Sequence, residues 1–113
     1  MEIVFENKEK YTLIDVTGRV DATTATQFDT QFNEHFSASG EPVNMLLDLG
    51  KVEYLSSAGL RCVLKIAKYC TSKGKKLVIC QIQPAVFEVF RISGFNTLLT
   101  IVPSLEEAES KFD

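Results

Sequence analysis

Residues 42–49, Pro-Val-Asn-Met-Leu-Leu-Asp-Leu, are a short and mostly apolar run, and beyond them Leu60, Val63, Leu64 and Ala67 recur at i, i+3, i+4 and i+7. A buried strand that leads through a loop into an amphipathic helix constrains the chain more than any other feature. Such a strand needs both faces covered, and crossover helices supply the cover. The joint between the two is Glu53-Tyr54-Leu55-Ser56-Ser57-Ala58-Gly59, where small hydroxyl residues and a glycine stand at helix entry. Ser57 is the expected N-cap, its oxygen facing the free backbone N–H groups of the first turn.

The rest of the chain repeats the alternation of strand and helix. Residues 2–6 and 11–17 read as an antiparallel pair joined by the charged turn Asn7-Lys8-Glu9-Lys10. Residues 21–36 read as a helix opened by Asp21 or Thr23, with Ala25, Phe28, Phe32 and Phe36 on its buried side. Gly40 and Pro42 break the chain before the apolar strand, and Gly50-Lys51 is expected to turn it toward the serines. The next helix covers residues 58–72 and stops at Lys73-Gly74-Lys75. A strand over 76–81, a helix from Pro84 carrying Val86, Phe87, Val89 and Phe90, and a strand near 98–102 follow. A last helix begins at Ser104, with Glu107 completing a capping-box pattern. This order predicts one α/β domain over residues 1–113, a mixed β-sheet with helices packed against it. Functional residues in such sheets gather beyond the C-terminal strand ends, where Asp21 and Ser57 are expected and Asp48 lies nearby.

The length of 113 residues suffices for a core without disulfides or a metal. No apolar run approaches the roughly 20 residues that cross a bilayer, so no membrane insertion is expected. The first ten residues alternate apolar with charged and lack a secretory pattern, and Cys62, Cys70 and Cys80 lack C-x-x-C spacing. Both features predict a cytoplasmic protein with reduced, buried thiols. The net charge of −3 hides an asymmetry: residues 1–50 hold nine acids against three bases, and residues 51–113 six acids against nine bases. Arg61, Lys65, Lys68, Lys73, Lys75 and Lys76 fall in an acid-free stretch. The acidic total and the lack of interleaved aromatics argue against direct nucleic-acid binding and for a solvated or protein-docking helix face.

The serine pair admits two readings. On the first, Ser56 or Ser57 simply caps the helix, worth about 1 kcal/mol. A modified hydroxyl is the other reading: a phosphate there meets the positive end of the helix dipole, and Ala58-Gly59 lets a macromolecule approach closely. Catalysis finds no support, because His35, the one histidine, lies in a polar stretch of an early helix with nothing resembling a triad. Asp48 after a central strand invites comparison with phosphoacceptor receiver domains, but no acidic pair follows the first strand. No enzyme activity, cofactor or metal is expected.

Four short patterns in order resemble the STAS domain family, and within it the single-domain bacterial anti-sigma-factor antagonists. They are Gly18-Arg19-Val20-Asp21, Leu47-Asp48-Leu49, Ser56-Ser57-Ala58-Gly59-Leu60, and Pro84-Ala85-Val86 with Phe90 and Ser93-Gly94-Phe95. The third is similar to the family's phosphorylation loop, with Ser56 standing where the family usually has Asp. The resemblance implies phosphorylation at Ser57, with Ser56 a secondary candidate. It also implies a partner, an anti-sigma factor that is itself a serine kinase, which the unphosphorylated protein binds so as to release a sigma factor. A serine phosphatase would reverse the state. The expected partner-binding residues are Asp21, Ser56, Ser57, Ala58 and Gly59, joined by Arg61 and Lys65, which helical spacing places in one stripe with Lys68. The alternative is a STAS scaffold or partner-sensing module in a signalling complex unconnected to a sigma factor.

Overall fold

The computed structural model describes the backbone of residues 1–113 and the side chains of all but residues 38 and 39. Strands β1 (Glu2–Asn7) and β2 (Thr12–Val20) pair antiparallel from Glu2↔Thr17 to Asn7↔Thr12, closed by a bond from Lys8 N–H to the Tyr11 carbonyl of 2.8 Å. Helix α1 (Ala22–Ser39) follows and ends at Gly40, whose φ of 74° is the left-handed cap conformation. Strand β3 (Met45–Leu55) returns parallel to β2, and helix α2 (Ser57–Ser72) leaves it directly. Strand β4 (Leu77–Cys80), helix α3 (Pro84–Ser93), a 3₁₀ turn (Phe95–Thr97), strand β5 (Thr100–Val102) and helix α4 (Leu105–Ser110) complete the chain. The sheet order is β1-β2-β3-β4-β5, parallel except for the first pair.

The main core lies on one face of the sheet. Ile14 and Val16 of β2, Met45, Leu47 and Leu49 of β3 and Ile79 of β4 meet Phe28, Phe32 and Phe36 of α1, Val63 and Ile66 of α2, and Val86 and Phe90 of α3. Alternate residues of the same strands point the other way. There Leu46, Val78, Cys80 and Val102 form a smaller cluster with Ala108 and Phe112, covered by α4. Ala25, Phe28, Phe32 and Phe36 are buried as their spacing predicted, and so are all three cysteines. Burial pushes the Cys62 and Cys80 thiols up to about 12 and that of Cys70 up to about 11, so they are protonated and inert at neutral pH. Among the described residues no helix is long and apolar enough to cross a membrane.

Two expectations fail at the same place. The apolar strand does not turn at Gly50-Lys51 but continues to Leu55, and β2 continues past Thr17 to Val20. The extensions hold each other: Thr17↔Lys51, Gly18↔Val52, Arg19↔Tyr54 and Val20↔Leu55 pair in parallel, with register shifts at Asp15/Thr17 and Gly18/Arg19. Gly50 is in the strand for space, because a Cβ there would sit 3.1 Å from Asp48 Oδ1 and 3.2 Å from Gln81 Cβ. The positive φ of 100° is at Gly18, where the bulge falls.

Candidate functional site

The paired ends of β2 and β3 deliver two helix starts to one edge of the sheet. Ser56 donates its backbone N–H to the Val20 carbonyl at 2.9 Å, which ties the start of α2 to the end of β2. Its hydroxyl also donates to the Val20 carbonyl at 3.3 Å and accepts the Gly59 N–H at 3.3 Å. The N-cap of α2 is therefore Ser56, not Ser57 as the spacing predicted. The anchor on Val20 fixes the chain one residue earlier, so Ser57 is the first helical residue. Ser57 is exposed, and among the described residues its hydroxyl has no hydrogen-bond partner.

Gly59 is required by close approach. A Cβ there would lie 2.6 Å from Leu55 Cδ1, 2.7 Å from the Val20 carbonyl oxygen and 2.9 Å from Val20 Cγ1. The first turn of α2 thus packs directly on the β2 backbone, with Ala58 half-buried beside it.

Asp21 caps α1 in the same region. Its Oδ1 accepts the Thr23 and Thr24 N–H groups, both at 3.0 Å, while its own N–H donates to Thr24 Oγ1 at 2.9 Å. The Thr24 hydroxyl in turn donates to the Arg19 carbonyl at 2.9 Å. The Thr24 and Thr23 N–H bonds, with the nearby Arg19 charge, hold the Asp21 carboxyl below its ordinary range, so it is a fixed negative charge at neutral pH.

Arg19 and Tyr54 are the residues that sequence reasoning passed over. The guanidinium lies 4.3 Å from the Tyr54 ring centroid, and Tyr54 is 42% exposed. The stacking depends on the Arg19↔Tyr54 register, which the bulge after Gly18 creates and which no local pattern announces.

Other expected residues are distributed differently. Arg61 is exposed on α2, as expected. Lys65 bonds Asp29 of α1 at 2.8 Å, and that bond raises its pKa and commits its charge to joining the two helices. Asp48 is not near the serine end. It lies seven positions before Leu55 on β3, roughly 23 Å at about 3.3 Å per residue. There it accepts the Gly50 N–H at 2.9 Å and the Gln81 side-chain amide at 2.8 Å, where β3 parts from β4. His35 stacks on Phe5 with ring centroids 4.3 Å apart, roughly 20 Å along α1 from Asp21, and cannot serve Ser57 as a base.

Parallel strands that bring two capped helix starts to one edge of a β1-β2-β3-β4-β5 sheet define an α/β domain of STAS type. The chain belongs to the STAS domain family, whose family model matches residues 2–108. It is 33% identical over 112 residues to a Bordetella bronchiseptica protein described as anti-sigma factor antagonist BtrV, covering 99% of this chain and 95% of that one. The fold is similar to a Thermotoga maritima protein described as an anti-sigma factor antagonist, with a TM-score of 0.89 at 17% identity over 97% of this chain and 93% of that one. It is also similar to the phosphorylated form of the Bacillus cell fate determinant SpoIIAA, with a TM-score of 0.73 at 16% identity over 99% of this chain and all of that one.

Proposed function

We propose that this protein is an anti-sigma-factor antagonist controlled by phosphorylation of Ser57. In the cytoplasm the unphosphorylated form binds an anti-sigma factor that is also a serine kinase, and a sigma factor is released. The kinase ends the interaction by modifying Ser57, and a serine phosphatase restores it. The observation that carries this reading is the division of labour between adjacent serines: the Ser56 hydroxyl is committed to the Val20 carbonyl and the Gly59 N–H, whereas that of Ser57 is exposed and unpaired among the described residues. The names of the relatives support the choice of partner class.

The docking surface in this reading comprises Asp21, the Ser56–Gly59 turn and Arg61, with Arg19 and Tyr54 at its margin. Lys65 contributes by holding α1 and α2 together. Phosphorylation adds about −1.5 to −2 charge and three acceptor oxygens. The fold tolerates them at Ser57 because the dipole of α2 is positive there. A partner that buries Ser57 would have to desolvate a dianion at the sheet edge that also carries the Asp21 carboxylate, and it dissociates instead.

Incubation with the cognate kinase and Mg-ATP, followed by mass-spectrometric mapping, tests the assignment. Wild type and Ser56→Ala are expected to be labelled on Ser57, and Ser57→Ala to remain unlabelled. Undiminished labelling of Ser57→Ala would show the assignment to be wrong.

A further inference from the structure

At the end of α2 opposite Ser57, a cleft of about 460 Å³ opens between the last turns of α2, the entry to β4 and the approach to β5. Lys75, Lys76 and Lys111 line it together with Thr71, Thr100 and Leu98, and no carboxylate is among its lining residues. Lys76 Nζ donates to the Lys111 carbonyl at 2.9 Å, which joins chain segments 35 residues apart and leaves further ammonium protons to donate. Neither Lys75 nor Lys111 has a carboxylate partner among the described residues.

Lysines near a helix C-terminus ordinarily complement its dipole. Here the Tyr69, Cys70 and Thr71 carbonyls are already bonded by the N–H groups of Lys73, Gly74 and Lys75. Complementing α2 does not account for Lys111, which is the C-cap residue of α4 and so brings a cation from a second helix end into the same cleft. Nor does it explain Leu98, which is 75% exposed at the same cleft. Cations and an uncovered aliphatic side chain lining one cleft suit a ligand that carries carboxylates and an apolar side chain together.

We propose that this cleft is a docking site for an acidic, leucine-containing segment of a partner protein. It is separate from the serine end of the molecule, roughly 24 Å away along α2 at 1.5 Å per residue. A partner held there leaves Ser57 open to its kinase, so the domain engages two proteins at once.

The test uses fluorescence anisotropy with a short labelled peptide alternating glutamate and leucine, and a control with lysine for glutamate. The acidic peptide is expected to bind and to weaken as salt rises. Lys75→Glu with Lys111→Glu should lower its affinity about tenfold, and Leu98→Ser should lower it as well. Ser57→Asp should bind it like wild type, which separates this site from the proposed switch. Amide NMR shifts should gather at Thr71, Lys75, Lys76 and Thr100. Any of four results would overturn the proposal: no binding by wild type, equal binding of the lysine control, shifts gathered at the serine end, or indifference to both the lysine and the Leu98 variants. Inorganic phosphate matching the peptide in affinity would identify a small-anion site instead, and self-association lost in the lysine variant would identify a second copy as the occupant.

Discussion

Ser56 and Ser57 are chemically identical neighbours, and one hydrogen-bond acceptor separates their roles. The Val20 carbonyl takes both the Ser56 N–H and its hydroxyl, so Ser56 becomes the cap and Ser57 turns outward. Ser56→Ala should therefore cost about 1 kcal/mol by urea denaturation. Ser57→Ala should stay within about 0.5 kcal/mol, as for an exposed residue without partners. Equal losses would contradict the cap assignment. The sequence narrowed the cap to two adjacent hydroxyls but placed it one residue late, because the deciding acceptor lies 36 residues away. Asp21 yields a prediction in pH. Its folded pKa is depressed below 3.8, so its stabilisation is full above that value and is lost as pH falls through the lower folded value. Asp21→Asn should flatten the acid limb of the stability profile in that window, and an unchanged limb would contradict the capping geometry.

At the scale of elements, the helices were the most legible parts. Phe28, Phe32 and Phe36 mark α1 by spacing alone, Pro84 opens α3, and Gly74 with φ of 70° ends α2 where the sequence put a stop. The C-terminal halves of β2 and β3 were illegible for a physical reason. Gly18, Gly50 and Lys51 look like turn residues, and only the parallel pairing of the two strands keeps them extended. Tyr54 and Arg19 were missed with them. The third helix offers the sharpest test of packing. Phe90 is fully buried in the main core, so Phe90→Ala should cost about 3 to 5 kcal/mol in denaturant unfolding. A loss under about 1 kcal/mol would mean that the core is not packed as described.

Across the whole molecule, the charge asymmetry was visible in the sequence, but its use was not. The stripe of Arg61, Lys65 and Lys68 is interrupted by Asp29, which binds Lys65, while Lys75 and Lys76 converge with Lys111 at the other end of α2. The serine end thus presents the fixed charge of Asp21, the exposed Ser57 and the Arg19–Tyr54 stack on one sheet edge. In the proposed switch, a change there alters docking without altering the fold. The most direct measurement is the affinity of the purified anti-sigma factor for three forms of this protein: unmodified, Ser57→Asp and enzymatically phosphorylated at Ser57. The switch predicts tight binding of the unmodified form, weaker binding of Ser57→Asp, and a loss of at least about tenfold, or 1.4 kcal/mol, for the phosphorylated form with hydrogen exchange of the core unchanged. Equal affinity of all three forms would contradict it and favour a scaffold that holds its partner regardless of Ser57.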